Sequence, residues 1–203
     1  MAKVPFLAEH VNTRRIMLNV ESVGLRPEQF FRLCQDNPDL RLELTAQKEI
    51  IVMSPTNSKT GMQNAEITRQ LANWAKLDKR GVSFDSSSGF TLPNGAKRSP
   101  DASWMRRSRW DALASEEIEG FALICPDFVV ELWSPSDILN EVKFKLIEYI
   151  ANGAHLGFLI YPPKHQVYVY RPNQRPQCVD EPAAVSGDPE LPGFTLDLTE
   201  IWQ

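Results

Sequence analysis

The run PDFVVELWSPSD at residues 126–137 constrains the fold more than any other part of the chain. Residues 128–133 are apolar except for one, and most are β-branched or aromatic, which is typical of a strand rather than a surface helix. Because both faces of this run are apolar, we predict a central strand that is covered on both sides. Glu131 interrupts the run. An unpaired buried carboxylate is costly, so we expect Glu131 to be neutralised or to meet a cation.

The residues after this strand are typical of the start of a helix. Ser134 is predicted to be the N-cap, Pro135 fits the first helical position, and Asp137 can complete a capping box. We expect the helix to run to about residues 152–153.

Two lysines lie on this predicted helix, Lys143 and Lys145. Apolar residues recur at helical spacing around both of them, so periodicity does not choose the one that faces Glu131. Lys145 is also placed for a favourable i,i+4 ion pair with Glu141, which would be a purely structural role.

The composition of the chain is that of a single globular domain. It has 203 residues, 42% of them hydrophobic and 24% charged, and a net charge of −4. The N-terminus lacks the apolar core of a signal peptide, and no stretch approaches the length of a membrane span. Three scattered cysteines suit reduced thiols better than disulfides or a zinc site. We therefore expect a cytoplasmic protein with no membrane partner.

Charge is distributed unevenly along the chain. The residues after 179 include six acids and no Lys or Arg, and the remainder has 22 basic and 20 acidic residues. The overall negative charge therefore does not exclude a nucleic-acid partner. We predict an N-terminal arm at residues 1–25, a main domain at 26–175 and an acidic C-terminal extension at 176–203 that packs on the same domain. The arm is a candidate contact in a homodimer.

The order of the predicted elements favours a mixed α/β fold (α+β), with a central mixed sheet flanked by helices. A long helix at residues 59–79 is inserted among strands, and the central strand and its helix are followed by a hairpin. This order lacks the regular alternation of a doubly wound sheet. The predicted strands lie at residues 40–44, 49–53, 82–85, 89–92, 102–105, 128–133, 156–161, 166–170 and 194–198.

Two Pro-Asp pairs place candidate metal ligands at residues 101 and 127. Asp127 and Glu131 are four residues apart on one strand, so their Cα atoms are roughly 13 Å apart. Asp101 begins a different strand, and neighbouring strands are only about 4.8 Å apart, so Asp101 and Glu131 can share an ion if their strands are adjacent. Two carboxylates, a backbone carbonyl and waters suit Mg²⁺. The alternative for Asp101 is a turn-capping role after Pro100.

Glu43 is a further acid between apolar neighbours, in the run RLEL at residues 41–44. Strand alternation also allows Glu43 to be an outward-facing polar residue, and the sequence leaves both alternatives open.

Three runs in order carry a resemblance to a known family. They are SSSGFTLPNGAKRSPDASW, EGFALICPDFVVELWSPSD and KLIEYIANGAHLGFLIYP. Together they resemble the Uma2 (Uma-two) family of endonucleases within the PD-(D/E)xK nuclease superfamily, over about residues 41–172. The resemblance implies a restriction-endonuclease-like core. Two departures concern substrate contacts: Trp133 replaces the arginine of many relatives, and residues 61–64 lack a histidine that many carry.

The resemblance assigns roles to individual residues. It makes Asp101 and Glu131 metal ligands, with the carbonyl of Leu132 as a further ligand, and it implies Mg²⁺ or Mn²⁺ as the cofactor. The lysine that usually follows the glutamate by two residues corresponds to Lys145 on the next helix. Glu43 matches the early glutamate of the family, which would bind a second ion or position Lys145.

The function implied is metal-dependent hydrolysis of phosphodiester bonds in DNA. Candidate phosphate contacts flank Asp101 in sequence, and the alternative for them is a solvated basic loop. They are Lys97, Arg98, Arg106, Arg107 and Arg109.

The sequence leaves a second class of function open. A catalytically inactive chain with the same fold could act as a nucleic-acid-binding or dimerising scaffold, since fold does not determine function. The complete set Asp101, Glu131 and Lys145 favours the enzyme over the scaffold. A hydrolase with a Ser or Cys nucleophile is disfavoured because the chain has no GxSxG motif.

Overall fold

A computed structural model describes residues 16–53 and 55–203 of the chain. The helices are α1 (Pro27–Asp36), α2 (Ser58–Asp78), α3 (Arg107–Trp110), α4 (Ser115–Ile118) and α5 (Leu139–Ala151), with 3-10 turns at Glu21–Val23 and Pro162–Lys164. The strands are β1 (Ile16–Asn19), β2 (Arg41–Leu44), β3 (Glu49–Met53), β4 (Gly81–Asp85), β5 (Phe90–Thr91), β6 (Lys97–Arg98), β7 (Ala102–Arg106), β8 (Phe128–Leu132), β9 (Leu156–Tyr161), β10 (Gln166–Tyr170), β11 (Gln177–Asp180), β12 (Ala184–Ser186) and β13 (Thr195–Asp197).

The main sheet has six strands in the order β11-β10-β9-β8-β7-β4. β8 and β9 are parallel and are joined through α5, whereas the other neighbours are antiparallel. All five residues of β8 are buried. The predicted mixed α+β fold with a mixed sheet and helices is therefore confirmed, as is the central strand predicted at residues 128–133, which ends one residue earlier, at Leu132.

Alternation along β8 divides the core into two layers. Phe128, Val130 and Leu132 pack in a cluster with α2, whereas Val129 packs in a second cluster with α5. Because side chains alternate between the faces of a strand, Glu131 shares the face of Val129 and points towards α5. The alternation of side chains along β8 thus directs Glu131 towards α5, the helix that carries the two lysines.

A second, antiparallel sheet has the order β1-β3-β2-β6-β5. Leu42 and Leu44 of β2 pack in a cluster with Phe30 of α1. Glu43 lies between them in sequence and therefore points to the opposite face, where it is 0% exposed. The outward-facing alternative for Glu43 is wrong, because its carboxylate pairs with Lys145 and Arg98 rather than meeting solvent.

The start of α5 differs from the prediction. The helix begins at Leu139, and its N-cap is Ile138, which has no side-chain cap hydrogen bond. Asp137 instead accepts hydrogen bonds from the backbone N–H and the hydroxyl of Ser134, at 2.8 and 2.7 Å. The prediction that Ser134 is the N-cap is wrong, because this local turn satisfies the capping groups before the helix starts.

The first described residues add a strand to the second sheet, and the last ones pack in the core of the main sheet. Residues 1–15 of the segment predicted as an N-terminal arm lie outside the described residues, and Ile16–Asn19 pairs with β3 as an edge strand. At the other end, the β12–β13 hairpin and the residues after it contribute Phe194, Leu196 and Ile201 to the cluster around α2. No helix in residues 16–53 or 55–203 has the length and apolar composition needed to cross a membrane.

Candidate active site

The pairing of β7 with β8 brings Asp101 beside Glu131. Ala102 is the partner of Val130 in this antiparallel pair, so the residue before Ala102 meets the residue after Val130. The expected adjacency of the two strands is confirmed. The carboxylate of Asp101 is held at both oxygens, since Oδ2 accepts from the backbone N–H of Leu132 at 2.8 Å and Oδ1 accepts from Asn64 Nδ2 at 3.1 Å.

Helix α5 supplies two donors to Glu131. Lys145 Nζ lies 2.9 Å from Glu131 Oε1, and the hydroxyl of Tyr149 donates to the same oxygen at 3.1 Å. Lys145 and Tyr149 are four residues apart, so they lie on one helix face. Within residues 16–53 and 55–203, no ion pair or hydrogen bond reaches Glu131 Oε2. That oxygen remains available to a ligand.

The structure places Lys145, rather than Lys143, in the site. Lys143 Nζ lies 3.9 Å from the ring centroid of Tyr168, on another part of the helix surface. The buried face of α5 carries Val142, Leu146 and Tyr149, and Lys145 lies beside this face. The resemblance to the family had implied the same lysine.

Glu43 is saturated by its partners. Its Oε1 lies 2.8 Å from Lys145 Nζ and accepts the backbone N–H of Ser99 at 3.0 Å, and its Oε2 lies 3.0 Å from Arg98 Nη1. Burial raises the pKa of Glu43, but the charges of Lys145 and Arg98 and these hydrogen bonds outweigh burial and lower it to about 2. Glu43 is therefore ionised, and it pairs with the same amine of Lys145 that pairs with Glu131.

The pKa of Glu131, in contrast to that of Glu43, is raised. Burial raises its pKa to about 8, and the nearby Asp101 and Glu43 add to the increase, while Lys145 opposes it. Because Oε1 accepts two donors, the proton belongs on Oε2. Burial also raises the pKa of Asp101, against the N–H of Leu132 and the charge of Lys145. Of the two acids that pair with Lys145, Glu43 is therefore ionised and Glu131 tends to keep its proton.

A chain of ion pairs extends beyond the predicted residues. Glu148 Oε2 lies 2.6 Å from Arg98 Nε, and Arg98 in turn pairs with Glu43. Glu148, like Tyr149, was missed by sequence reasoning. Their spacing of three and four residues from Lys145 is the signal that could have found them, since such residues share a helix face.

The residues present fit a hard divalent cation. The network of ion pairs contains three acids, Glu43, Glu131 and Glu148, and two cations, Lys145 and Arg98. Asp101 is a fourth acid beside this network. Asn64 Oδ1 is a buried acceptor to which no described residue donates a hydrogen bond. In the described part of the chain, no group of three or more His, Cys, Asp and Glu side chains is arranged to hold a metal ion. A site here would therefore use two acids, a carbonyl or amide oxygen and waters, as Mg²⁺ sites do.

Two of the predicted phosphate contacts are buried. Lys97 is 4% exposed and donates to Thr91 Oγ1 at 2.9 Å, and Arg98 is 8% exposed and pairs with two acids. The alternative of a solvated basic loop is wrong for these two residues, and their contact with phosphate stays a prediction. The partners of Arg98, Glu43 and Glu148, lie far from it in sequence, so sequence alone does not reveal its burial.

The other predicted contacts lie at the far end of β7. Arg106 and Arg107 are exposed, and Arg109 Nη1 lies 2.9 Å from Asp127 Oδ1. Asp127 also accepts the N–H of Arg106 and contacts His155 Nδ1 at 3.0 Å. Asp127 thus belongs to a separate cluster, in agreement with the strand geometry that removed it from the metal site. The structure does not bring these three arginines to Asp101.

Comparison with known proteins agrees with this fold. A family model described as "Uma2: Putative restriction endonuclease" matches residues 27–199. A solved structure of a putative nuclease belonging to DUF820, from Anabaena variabilis ATCC 29413, is 25% identical, with a TM-score of 0.69 over 79% of this chain and 89% of the other. None of the curated proteins compared with the chain matches it. With the family model covering most of its length, the chain belongs to the Uma2 family of restriction-endonuclease-like proteins.

Proposed function

We propose that this protein is an endonuclease that uses Mg²⁺ or Mn²⁺ to hydrolyse phosphodiester bonds of DNA. The observation that carries the proposal is the position of Lys145, whose Nζ lies within 3 Å of both Glu43 and Glu131. Lys145 is thereby held beside Glu131, whose strand pairs with the strand that Asp101 precedes, and these three residues are the set that the family resemblance implies for a nuclease centre. Membership in the Uma2 family supports the same reaction.

Asp101 and Glu131 would hold the ion, with the carbonyl of Leu132. The ion, when bound, would polarise a phosphoryl oxygen and lower the pKa of an attacking water. Asn64 and the N–H of Leu132 fix the orientation of Asp101. Tyr149 and Lys145 fix Glu131 through one oxygen and leave the other oxygen to the ion.

Lys145 would orient the attacking water or stabilise the charge that develops on the phosphoryl group. Burial lowers the pKa of Lys145, but the charges of Glu131 and Glu43 raise it above its ordinary value, so the amine stays protonated. It therefore serves as a fixed cation and donor rather than as a base.

Glu43 would be a positioning residue for Lys145. Three donors, from Lys145, Arg98 and Ser99, already share its two oxygens, which disfavours a second ion at Glu43. Of the two roles considered for Glu43, the geometry favours the positioning of the lysine.

The test compares two lysines of one helix. Lys145→Met and the control Lys143→Met are incubated with supercoiled plasmid and Mg²⁺ or Mn²⁺, beside Asp101→Asn. Wild type and Lys143→Met should nick and linearise the plasmid, whereas the other two variants should lose at least about a hundredfold in rate, as when a transition-state contact is removed. Equal cleavage by Lys145→Met and Lys143→Met would refute the proposed site.

A measurement of metal binding distinguishes the proposed enzyme from a catalytically inactive scaffold. Isothermal titration with Mn²⁺ should show one site in wild type and in Lys143→Met, and none in Asp101→Asn. If wild-type protein neither binds the ion nor cleaves any nucleic acid, the protein is a scaffold with a nuclease fold.

A further inference from the structure

A group of basic side chains lies at the end of β7 that is remote from Asp101. Arg106 ends this strand and pairs with Gly81 of β4, and the backbone N–H of Arg107 donates to the carbonyl of Arg80 at 2.8 Å. These contacts bring the residues that follow α2 next to those that begin α3. We call the group the arginine surface; it consists of Lys79, Arg80, Arg106, Arg107, Arg109 and His155.

Asp127 joins two members of the arginine surface to the core of the fold. Its side chain is 3% exposed, and its Oδ1 lies 2.9 Å from Arg109 Nη1 and 3.0 Å from His155 Nδ1. Its Oδ2 accepts the backbone N–H of Arg106 at 2.9 Å. Because His155 meets Asp127 through Nδ1, its Nε2 is the ring nitrogen that can contact a ligand, and 45% of this side chain is exposed. Asp127 thus fixes a guanidinium and an imidazole in place at the surface.

The arginine surface is positive although the chain is negative overall. The acids that pair with it are Asp78, Asp111 and Asp127. Five lysine and arginine residues therefore meet three acids, a net charge of +2 with His155 counted as neutral, against −4 for the chain. Three glutamates follow at α4, but the chain there leads to α1, where Phe121 packs against Phe30 and Phe31.

The ion pairs of this surface leave its arginines open to a further partner. Arg80 pairs with Asp78 and Arg107 pairs with Asp111, and the two arginine side chains are 56% and 53% exposed. Ion pairs of side chains this exposed contribute little to stability, so another anion can replace them at small cost. A guanidinium carries several N–H donors, so an arginine that pairs with one acid can still donate to a second anion. The planar arrangement of these donors matches the oxygens of a phosphate.

From these contacts, we infer that the arginine surface binds the phosphate backbone of nucleic acid. Arg106 is five residues from Asp101 along one strand. The two Cα atoms are therefore roughly 16 Å apart, at about 3.3 Å per residue, and the surface is too far away to touch a phosphate held at Asp101. It holds nucleic acid without reacting with it, and backbone contacts of this kind carry no sequence information.

Nucleic acid is favoured over other polyanions because the family to which the chain belongs is described as a restriction endonuclease. The role of the arginine surface goes beyond the proposed reaction, since it binds duplex DNA whether or not the candidate active site cleaves it.

The test measures binding without metal, so that cleavage does not interfere. Fluorescence anisotropy in EDTA follows a labelled DNA duplex over a range of salt concentrations, for wild type and for the double variant Arg106→Gln/Arg107→Gln. Wild type should bind the duplex. The double variant should bind about tenfold more weakly at low salt, because charge-assisted hydrogen bonds to phosphate are lost. The slope of log K against log salt should become shallower by about 2, one for each lost phosphate contact.

Two further double variants are the controls. Arg26→Gln/Arg32→Gln removes the same charge from two exposed arginines at α1, which packs on the second sheet, and it should keep the affinity and the slope of wild type. Arg106→Lys/Arg107→Lys keeps the charge of the arginine surface and should restore most of the slope. Urea unfolding of the glutamine variant checks that it folds like wild type.

Four results would overturn the inference. Wild type does not bind the duplex in EDTA, or Arg106→Gln/Arg107→Gln binds it as tightly as wild type does. Alternatively, the α1 variant loses as much affinity, so that overall charge rather than this surface attracts DNA. Finally, the glutamine variant loses binding to phosphatidylserine vesicles while its duplex binding is unchanged, which would assign the surface to a membrane.

Failure of the proposed endonuclease gives a different result. The plasmid would then stay intact in Mg²⁺ or Mn²⁺, while duplex binding in EDTA would still depend on Arg106 and Arg107.

Discussion

Replacing Glu131 with glutamine should remove a large part of the pH dependence of the protein's stability above pH 5. The carboxyl of Glu131 has its pKa raised from 4.5 to about 8, chiefly by burial. Between these two values the folded protein keeps a proton that the unfolded chain releases. Protons therefore favour the folded state, and the stabilisation is complete below about pH 4.5 and is lost as the pH rises to about 8.

The size of the effect follows from the two pKa values. One pKa unit corresponds to about 1.4 kcal/mol, so the full difference is worth about 5 kcal/mol, and about 4 kcal/mol of it falls between pH 5 and 8. Glutamine does not titrate, yet its carbonyl oxygen can still accept from Lys145 and Tyr149. The free energy of unfolding of wild type, relative to that of Glu131→Gln, should fall by this amount over the interval.

The measurement is urea unfolding of both proteins in EDTA at several pH values from 5 to 8. Glu28→Gln is the matched control, because Glu28 is exposed on α1 outside the site. Its stability should follow that of wild type. If wild type and Glu131→Gln lose stability in parallel, Glu131 does not hold a proton in the folded state and our account of the site's charges is wrong.

Three further predictions concern the metal, the core and the thiols. At pH 7 about nine in ten Glu131 carboxyls carry a proton if the pKa is about 8, so Mn²⁺ binding should release about 0.9 proton, measured by calorimetry in buffers of different ionisation enthalpy. Gly157→Ala would place a Cβ 2.7 Å from Leu146 Cδ1, and it should cost about 1–3 kcal/mol in urea unfolding. Cys178 is exposed and should react with a thiol reagent in the folded protein, whereas Cys125 should react only after unfolding, because burial raises its pKa to about 12.

The sequence was sufficient to predict the strands that carry the acids. A continuous apolar run dictates a buried strand wherever it lies, and the strand spacing then separates Asp101 from Asp127 as partners of Glu131. These conclusions depend on local pattern and on fixed distances, so the structure agrees with them.

The sequence was not sufficient to predict which charged side chains turn inward. The sequence allowed Lys97 and Arg98 to be a solvated basic loop, but Thr91, Glu43 and Glu148 meet them inside the fold. Those contacts join residues from separate strands and a helix, so no local pattern encodes them.

The sequence pattern also could not decide whether Lys143 or Lys145 faces the acids. Both lie among apolar residues at helical spacing, and the rotation of α5 decides which one reaches the acids. The start of the helix was also mispredicted, because Ser134 and Asp137 bond to each other instead of capping it. Local hydrogen bonds of this kind compete with helix capping, and sequence propensity does not tell which will prevail.

The position of Phe194, Leu196 and Ile201 in the cluster around α2 has a consequence for synthesis of the protein. This cluster also holds Phe128 and Val130 of β8, so one side of the main sheet is complete only when residues near 201 are available. About 70 residues separate β8 from that point, and at ribosomal rates of about 5–20 residues per second they take roughly 4 to 14 seconds to add. The nascent chain therefore carries an uncovered apolar surface for several seconds, which is the period in which it is most exposed to aggregation.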